Sequence, residues 1–147
     1  EIKQTTPFRN PWEKAIVNII FTNNWLANLQ KQQFKPYEIT LQQYNVLRIL
    51  RGQHPQPIST SDIRDRMLDR MSDVSRIVDR LVKKNLVLRK PCKADKRLVD
   101  VVINKSGLSL LETMDKELSI DEAIQSLDKK QVEQLNELLD QLRSSPK

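Results

Sequence analysis

The stretch that most constrains this chain is residues 71–84, MSDVSRIVDRLVKK. Val74, Ile77, Val78 and Leu81 recur at helical spacing, so the segment predicts a helix with one apolar face that needs a core. At 100° per residue, Ser72, Arg76, Asp79 and Lys83 fall on the opposite face, flanked by Ser75 and Arg80. Ser72 stands where an N-cap is needed. Short hydroxyls therefore lie near the start of the outer face and long cations follow them. A helix that enters a DNA major groove needs this order, because its N-terminal residues reach base edges and its Arg and Lys reach guanine or phosphate. An ordinary solvated face on a core helix reads the same way, so the neighbouring segments have to decide.

Upstream, Ser59 and Asp62 form a capping box, with Ile58 and Ile63 spaced as a hydrophobic staple. They predict a short helix, with Ile63 and Met67, running to about Leu68. A short helix, a tight turn and a second helix with a cationic outer face make a helix-turn-helix. Downstream, Asn85 stands where a left-handed residue would end the second helix. Residues 86–90 and 98–103 are rich in Val and Leu and lack helix caps, so they predict two strands. Between them, Pro91-Cys92-Lys93-Ala94-Asp95-Lys96-Arg97 is a hairpin with a basic tip. The combination is a winged helix, whose wing lies along the DNA backbone or in the minor groove.

The flanks predict more helix. Asn10-Pro11-Trp12-Glu13 combines an N-cap, a first-turn proline and an acid three residues past the cap. Trp12, Ile16, Ile19, Ile20 and Leu26 carry that helix to about Gln33, and residues 34–39, with Pro36, form a connection. Thr40 to Gln43 repeats the capping pattern for a helix marked by Leu41, Tyr44, Leu47 and Leu50 and ending near Gly52. Asn104 caps a helix with Leu108, Leu111, Met114 and Leu118. Asp128 opens the last, with Leu127 and Val132 as staple and a stripe through Leu135, Leu138, Leu139 and Leu142. The expected fold class is mainly α (α+β): six helices with a two-stranded wing. Residues 38–103 form the winged helix-turn-helix, and residues 10–33 and 104–144 form a helical dimerisation region.

Charge points the same way. The chain of 147 residues carries a net charge of +6. Between Pro55 and Lys105 stand 13 Lys and Arg against 7 Asp and Glu, and the remaining residues balance. All the excess sits in the predicted winged helix, as expected of a polyanion-binding module. There is no run of 18 apolar residues and no signal-peptide pattern, so a soluble, cytoplasmic chain with no membrane partner is expected. The single cysteine, Cys92, excludes an intrachain disulfide and fits a reducing compartment. His54 is the only histidine, so no metal site is expected. No nucleophile–base pattern or phosphate-cradling glycine loop occurs, so neither an enzyme nor a cofactor is expected.

The segment STSDIRDRMLDRMSDVSRIVDRLVKKNLVLRK is similar to the helix-turn-helix and first wing strand of the MarR family of bacterial transcription regulators. ADKRLVDVVINKSGLSLLE resembles the family's wing, with its Asp-Lys-Arg triplet and the glycine of the next helix. The resemblance spans nearly the whole chain. Asn85 stands in place of the usual glycine, which Asn can imitate, and Asn104 in place of a common threonine N-cap. The resemblance implies that Asp95 braces the wing, that Arg97 enters the minor groove, and that Ser72, Ser75 and Arg76 face the major groove. It also implies a homodimer built from the first and last two helices, and a repressor released by a small phenolic or aromatic ligand.

The candidate DNA-binding set is Ser72, Asp73, Ser75, Arg76, Arg80, Lys83, Lys93, Lys96 and Arg97, with Asp95 as the wing brace. The partner is a pseudo-palindromic double-stranded operator. Asp79 on the outer face is expected to orient Arg76 or Lys83 rather than to read cytosine. Trp12, Phe21, Trp25, Tyr37 and Tyr44 fit either an aromatic-effector pocket or core and dimer contacts. Two other readings stay open. The winged helix could be a protein-interaction module, or Cys92, between Lys90 and Lys93, could make the chain a redox-responsive regulator.

Overall fold

A computed structural model describes residues 5–91 and 99–144. Most helices start where a side chain takes up an orphan backbone N–H. In α1 (Pro11–Phe34), Asn10 Oδ1 accepts from the Glu13 N–H at 2.9 Å, and Pro11 follows the cap. Full capping boxes open α2 (Leu41–Gln53), through Thr40 and Gln43, and α3 (Thr60–Arg66), through Ser59 and Asp62. The hydrogen bonds from Ser59, and then the charge of Arg66, hold the Asp62 carboxyl below its ordinary range. Asn104 caps α5 (Lys105–Glu117). At α6 (Lys129–Ser144), Asp128 and Gln131 exchange two bonds of 2.9 Å. Gly52 lies inside α2, which runs one residue past it.

The start of α4 (Val74–Lys83) departs from the sequence expectation. Ser72 is not its N-cap. The Ser72 hydroxyl donates to Asp69 Oδ2 at 3.0 Å and its N–H to the Asp69 carbonyl at 3.2 Å, which holds Ser72 within the preceding turn. Asp73 takes the capping position, and its Oδ1 accepts from the Arg76 N–H at 3.1 Å. The helix therefore begins at Val74, one residue later than a cap at Ser72 implies. Its other end follows the expectation. Asn85 adopts φ 55°, its N–H reaches the Val82 carbonyl, and the Leu86 N–H reaches the Leu81 carbonyl. Those two bonds make a Schellman motif, and buried Leu81 and Leu86 supply its apolar contact.

The hairpin of β2 (Val87–Pro91) and β3 (Val99–Ile103) pairs antiparallel, from Val87 opposite Ile103 to Pro91 opposite Val99. A third strand, β1 (Ile58–Ser59), pairs with Val101 and Asp100, giving the order β1-β3-β2. The sequence predicts only two strands because two residues show no alternation. The 3-10 turns at Lys35–Tyr37 and Ile120–Ile124 are likewise too short to announce themselves. The apolar side of α4 packs on α2, which also contacts α5 and β3. Phe34, Val46, Leu47, Ile63, Val78, Leu81, Ile103 and Leu111 are fully or almost fully buried at this centre. In contrast, α6 buries none of its residues and α1 buries only Phe34.

Candidate nucleic-acid interface

Packing Val74, Val78 and Leu81 into the core turns the other side of α4 outward. Ser75, Arg76, Asp79, Arg80 and Lys83 are all exposed, and Ser72 is half-buried. The outer face read from the sequence is thus the face presented. Asp73 caps the helix, and its Oδ2 lies 3.2 Å from Arg76 Nε. Both side chains are open to water, so this pair contributes little and leaves Arg76 free to exchange partners. Arg80 and Lys83 make no ion pair among the described residues.

Asp79 has a different partner from the one expected. It pairs with Arg89 of β2, not with Arg76 or Lys83. The Schellman turn reverses the chain and brings β2 back beside α4, a long-range proximity that helix spacing cannot reveal. The pair neutralises the one carboxylate in the middle of the cationic face and ties the wing's first strand to α4. The expectations for Cys92, Lys93, Asp95, Lys96 and Arg97 lie outside the described residues.

Sequence reasoning missed the contribution of α2. Its N-terminus and α4 line an open cleft of about 300 Å³, with Thr40, Gln42, Ser72, Arg76 and Arg80 around it. Gln42 is exposed there, whereas Gln43 is buried and held by the capping box. The Thr40 capping box was readable, but its position opposite α4 depends on tertiary packing.

A second cavity, of about 540 Å³, lies where α1, α2 and α5 meet. Leu26, Gln30, Tyr44, Arg48, Met114 and Leu118 are among its walls. The Tyr44 ring packs 4.7 Å from that of Phe34, and Arg48 donates to the Tyr44 hydroxyl at 2.9 Å. Asp115 lies 3.6 Å from Arg48 and pairs with Arg51 at 2.5 Å. Of the five aromatic candidates, only Tyr44 borders this cavity. Tyr37 packs on the core and donates to Glu117, which raises its phenol pKa. Trp12, Phe21 and Trp25 stay exposed on α1.

Among the described residues, no group of three His, Cys, Asp or Glu is placed to hold a metal. No helix among them is long and apolar enough to cross a membrane.

The sequence model of the MarR family matches residues 39–99, from the start of α2 into the wing. The HTH-type transcriptional regulator MhqR of Bacillus subtilis is 31% identical over 99 residues, covering 66% of this chain and 67% of its own. The chain belongs to the MarR family. Its fold agrees with that of a mutant E. coli MarR crystallised with operator DNA, at TM-score 0.82 and 25% identity, over 93% of this chain and 99% of that one. Bordetella bronchiseptica BpsR, whose DNA binding is regulated by 6-hydroxynicotinic acid, matches at TM-score 0.80 and 20% identity, over 96% and 100%. As a MarR-family winged helix, the chain uses α3 and α4 as its helix-turn-helix and β2–β3 as its wing.

Proposed function

We propose that this chain is a dimeric, sequence-specific, double-stranded DNA-binding transcription regulator, acting in the cytoplasm as a repressor that a small aromatic effector releases. The outer face of α4 carries this reading. Ser75, Arg76, Arg80 and Lys83 project from a helix anchored by its opposite side, in the part of the chain that holds the whole excess positive charge. MhqR is named as a transcriptional regulator, and the E. coli MarR structure contains operator DNA, which supports the same role here. Residues 38–103 serve as the DNA-binding part, with Arg97 in the minor groove, Lys93 and Lys96 on phosphate and Asp95 bracing the wing. No enzymatic step and no cofactor enter this function. The cavity beside Tyr44 and Arg48 is the effector site, since an aromatic ring and a cation side by side on α2 suit an aromatic acid or phenol.

Residues 10–33 and 104–144 serve as the dimerisation region. On α1, Trp12 is 76% exposed, and Ile16, Ile20 and Trp25 are also open. On α6, Leu138 and Leu142 are more than half exposed. Apolar surface of this extent marks a partner, and a second copy related by a two-fold axis is the commonest one. Two copies of α4 then meet successive major grooves on one side of the duplex, with half-site centres about 10 base pairs apart. Light scattering at micromolar concentration should return twice the chain mass, and duplex selection from a random library should return a pseudo-palindrome with that spacing. A monomer at that concentration, or a selected site with a single unrepeated half, would count against the dimeric reading.

A further inference from the structure

The turn between α3 and α4 carries two large apolar side chains in an unusual state. Leu68 is 86% exposed and Met71 is 92% exposed, more than any other large hydrophobic residue described. Their backbones are nevertheless held. The Leu68 N–H donates to Asn45 Oδ1 of α2 at 2.9 Å, and the Met71 N–H donates to Asp69 Oδ1 at 3.0 Å. Asp69 also receives the Ser72 hydroxyl at 3.0 Å. The turn is therefore fixed by polar bonds within it and to α2, and the two side chains stay almost fully exposed.

Their surroundings identify what covers them. Met71 lies two residues ahead of the N-cap Asp73, at the end of α4 that leads into the groove. Arg64, Arg66, Arg70, Arg76 and Arg80 stand within the same short segment and are all exposed. Of the acids in that segment, Asp69 and Asp73 accept backbone N–H groups, Asp73 also pairs with Arg76, Asp79 is paired with Arg89, and Asp65 is exposed. Exposed cations and an exposed apolar turn on one segment complement a polyanion that displays apolar groups. On a DNA duplex the apolar group on the major-groove edge is the thymine C5-methyl.

We infer that Leu68 and Met71 read thymine, by packing on its C5-methyl group in each half-site, next to the position that Arg76 reads. This rests on the proposed DNA-binding function and assigns specificity to two residues outside the cationic face. The contact involves one methyl group. Removing the methyl, or removing the side chains that cover it, should therefore weaken binding by about three- to fivefold at each such position.

The test uses the full chain and a duplex obtained by random-library selection. Each thymine of the selected site is replaced in turn by deoxyuridine, which keeps the hydrogen-bonding edge and removes the methyl. Affinities are measured for the natural chain and for the double variant Leu68→Ala and Met71→Ala. The natural chain should bind one deoxyuridine duplex per half-site about three- to fivefold more weakly. The double variant loses the contact in both half-sites of a symmetric dimer, so it should bind the thymine duplex about 9- to 25-fold more weakly and should no longer distinguish thymine from deoxyuridine. Unfolding curves of the two proteins should coincide, since both side chains are solvent-exposed. The inference is overturned by a selected half-site without thymine, by a natural chain indifferent to every deoxyuridine, or by a double variant that keeps the natural preference. Failure of the natural chain to bind any duplex is a separate result, which removes the proposed function itself.

Discussion

Replacing Gly107 by alanine should lower stability by about 2–3 kcal/mol and reduce Tm by on the order of 10 °C. A Cβ at this position would stand 2.3 Å from the Leu86 carbonyl oxygen and 2.7 Å from Ile103 Cγ1. Neither neighbour can give way easily. Leu86 is the second residue of the Schellman turn, and its carbonyl accepts from the Asn104 N–H at 3.2 Å. Gly107 itself is held by the bond from its N–H to Asn104 Oδ1 at 2.9 Å. Relief must therefore break the cap of α5, the end of α4 or the packing of Ile103. Gly52 provides the internal comparison. It also lies in a helix, but a Cβ there meets nothing within 4 Å and φ is not positive. Gly52→Ala should raise stability by about 0.5–1 kcal/mol through helix propensity. Thermal unfolding followed by circular dichroism, at one fixed protein concentration, compares both variants with the natural chain. A Gly107→Ala protein within about 2 °C of the natural Tm would contradict the packing described for α5.

The second large effect is a difference in kind between two cations of α4. Arg76 lies in the first turn, where the helix meets base edges, and a bidentate Arg–guanine contact discriminates by about 1–3 kcal/mol. Lys83 lies two turns further on, at the last helical residue, where the helix leaves the groove and only phosphate is in reach. Arg76→Ala should abolish preference at one position per half-site, a change of about 5- to 150-fold between matched and mismatched duplexes. Lys83→Ala should weaken all duplexes alike. It should also flatten the salt dependence by about one unit of slope for each phosphate left without its lysine, or about two in a symmetric dimer. A panel of single-base operator variants at two salt concentrations separates these outcomes. If Arg76→Ala lowered every duplex equally, Arg76 would be a backbone contact, and sequence would have to be read elsewhere on the helix-turn-helix.

What was legible in the sequence was local. Asn10, Thr40, Ser59, Asn104 and Asp128 mark five helix starts because a cap and its partner lie within three residues. Asn85 marks the end of α4 because few residues accept a left-handed conformation. The outer face of α4 was legible because burial of Val74, Val78 and Leu81 fixes it by periodicity alone. The remaining features depend on distant segments. Ser72 looks like a cap until its bonds to Asp69 hold it in the preceding turn and Asp73 takes the capping position. Asp79 looks available to its own helix until the chain reversal at Asn85 brings Arg89 beside it. The strand at Ile58 and Ser59 exists only because β3 offers an edge. Leu68 and Met71 carry no role that local spacing reveals, and only their exposure sets them apart.

The salt dependence of binding to a selected duplex tests the central claim most directly. If two cations per protomer, such as Arg80 and Lys83, contact phosphate, log K should fall linearly with log salt at a slope steeper than roughly −3.5. Stoichiometry should be two chains per duplex. A flat salt response, or no binding to any duplex from a random library, would contradict the account and leave the winged helix as a surface for another protein.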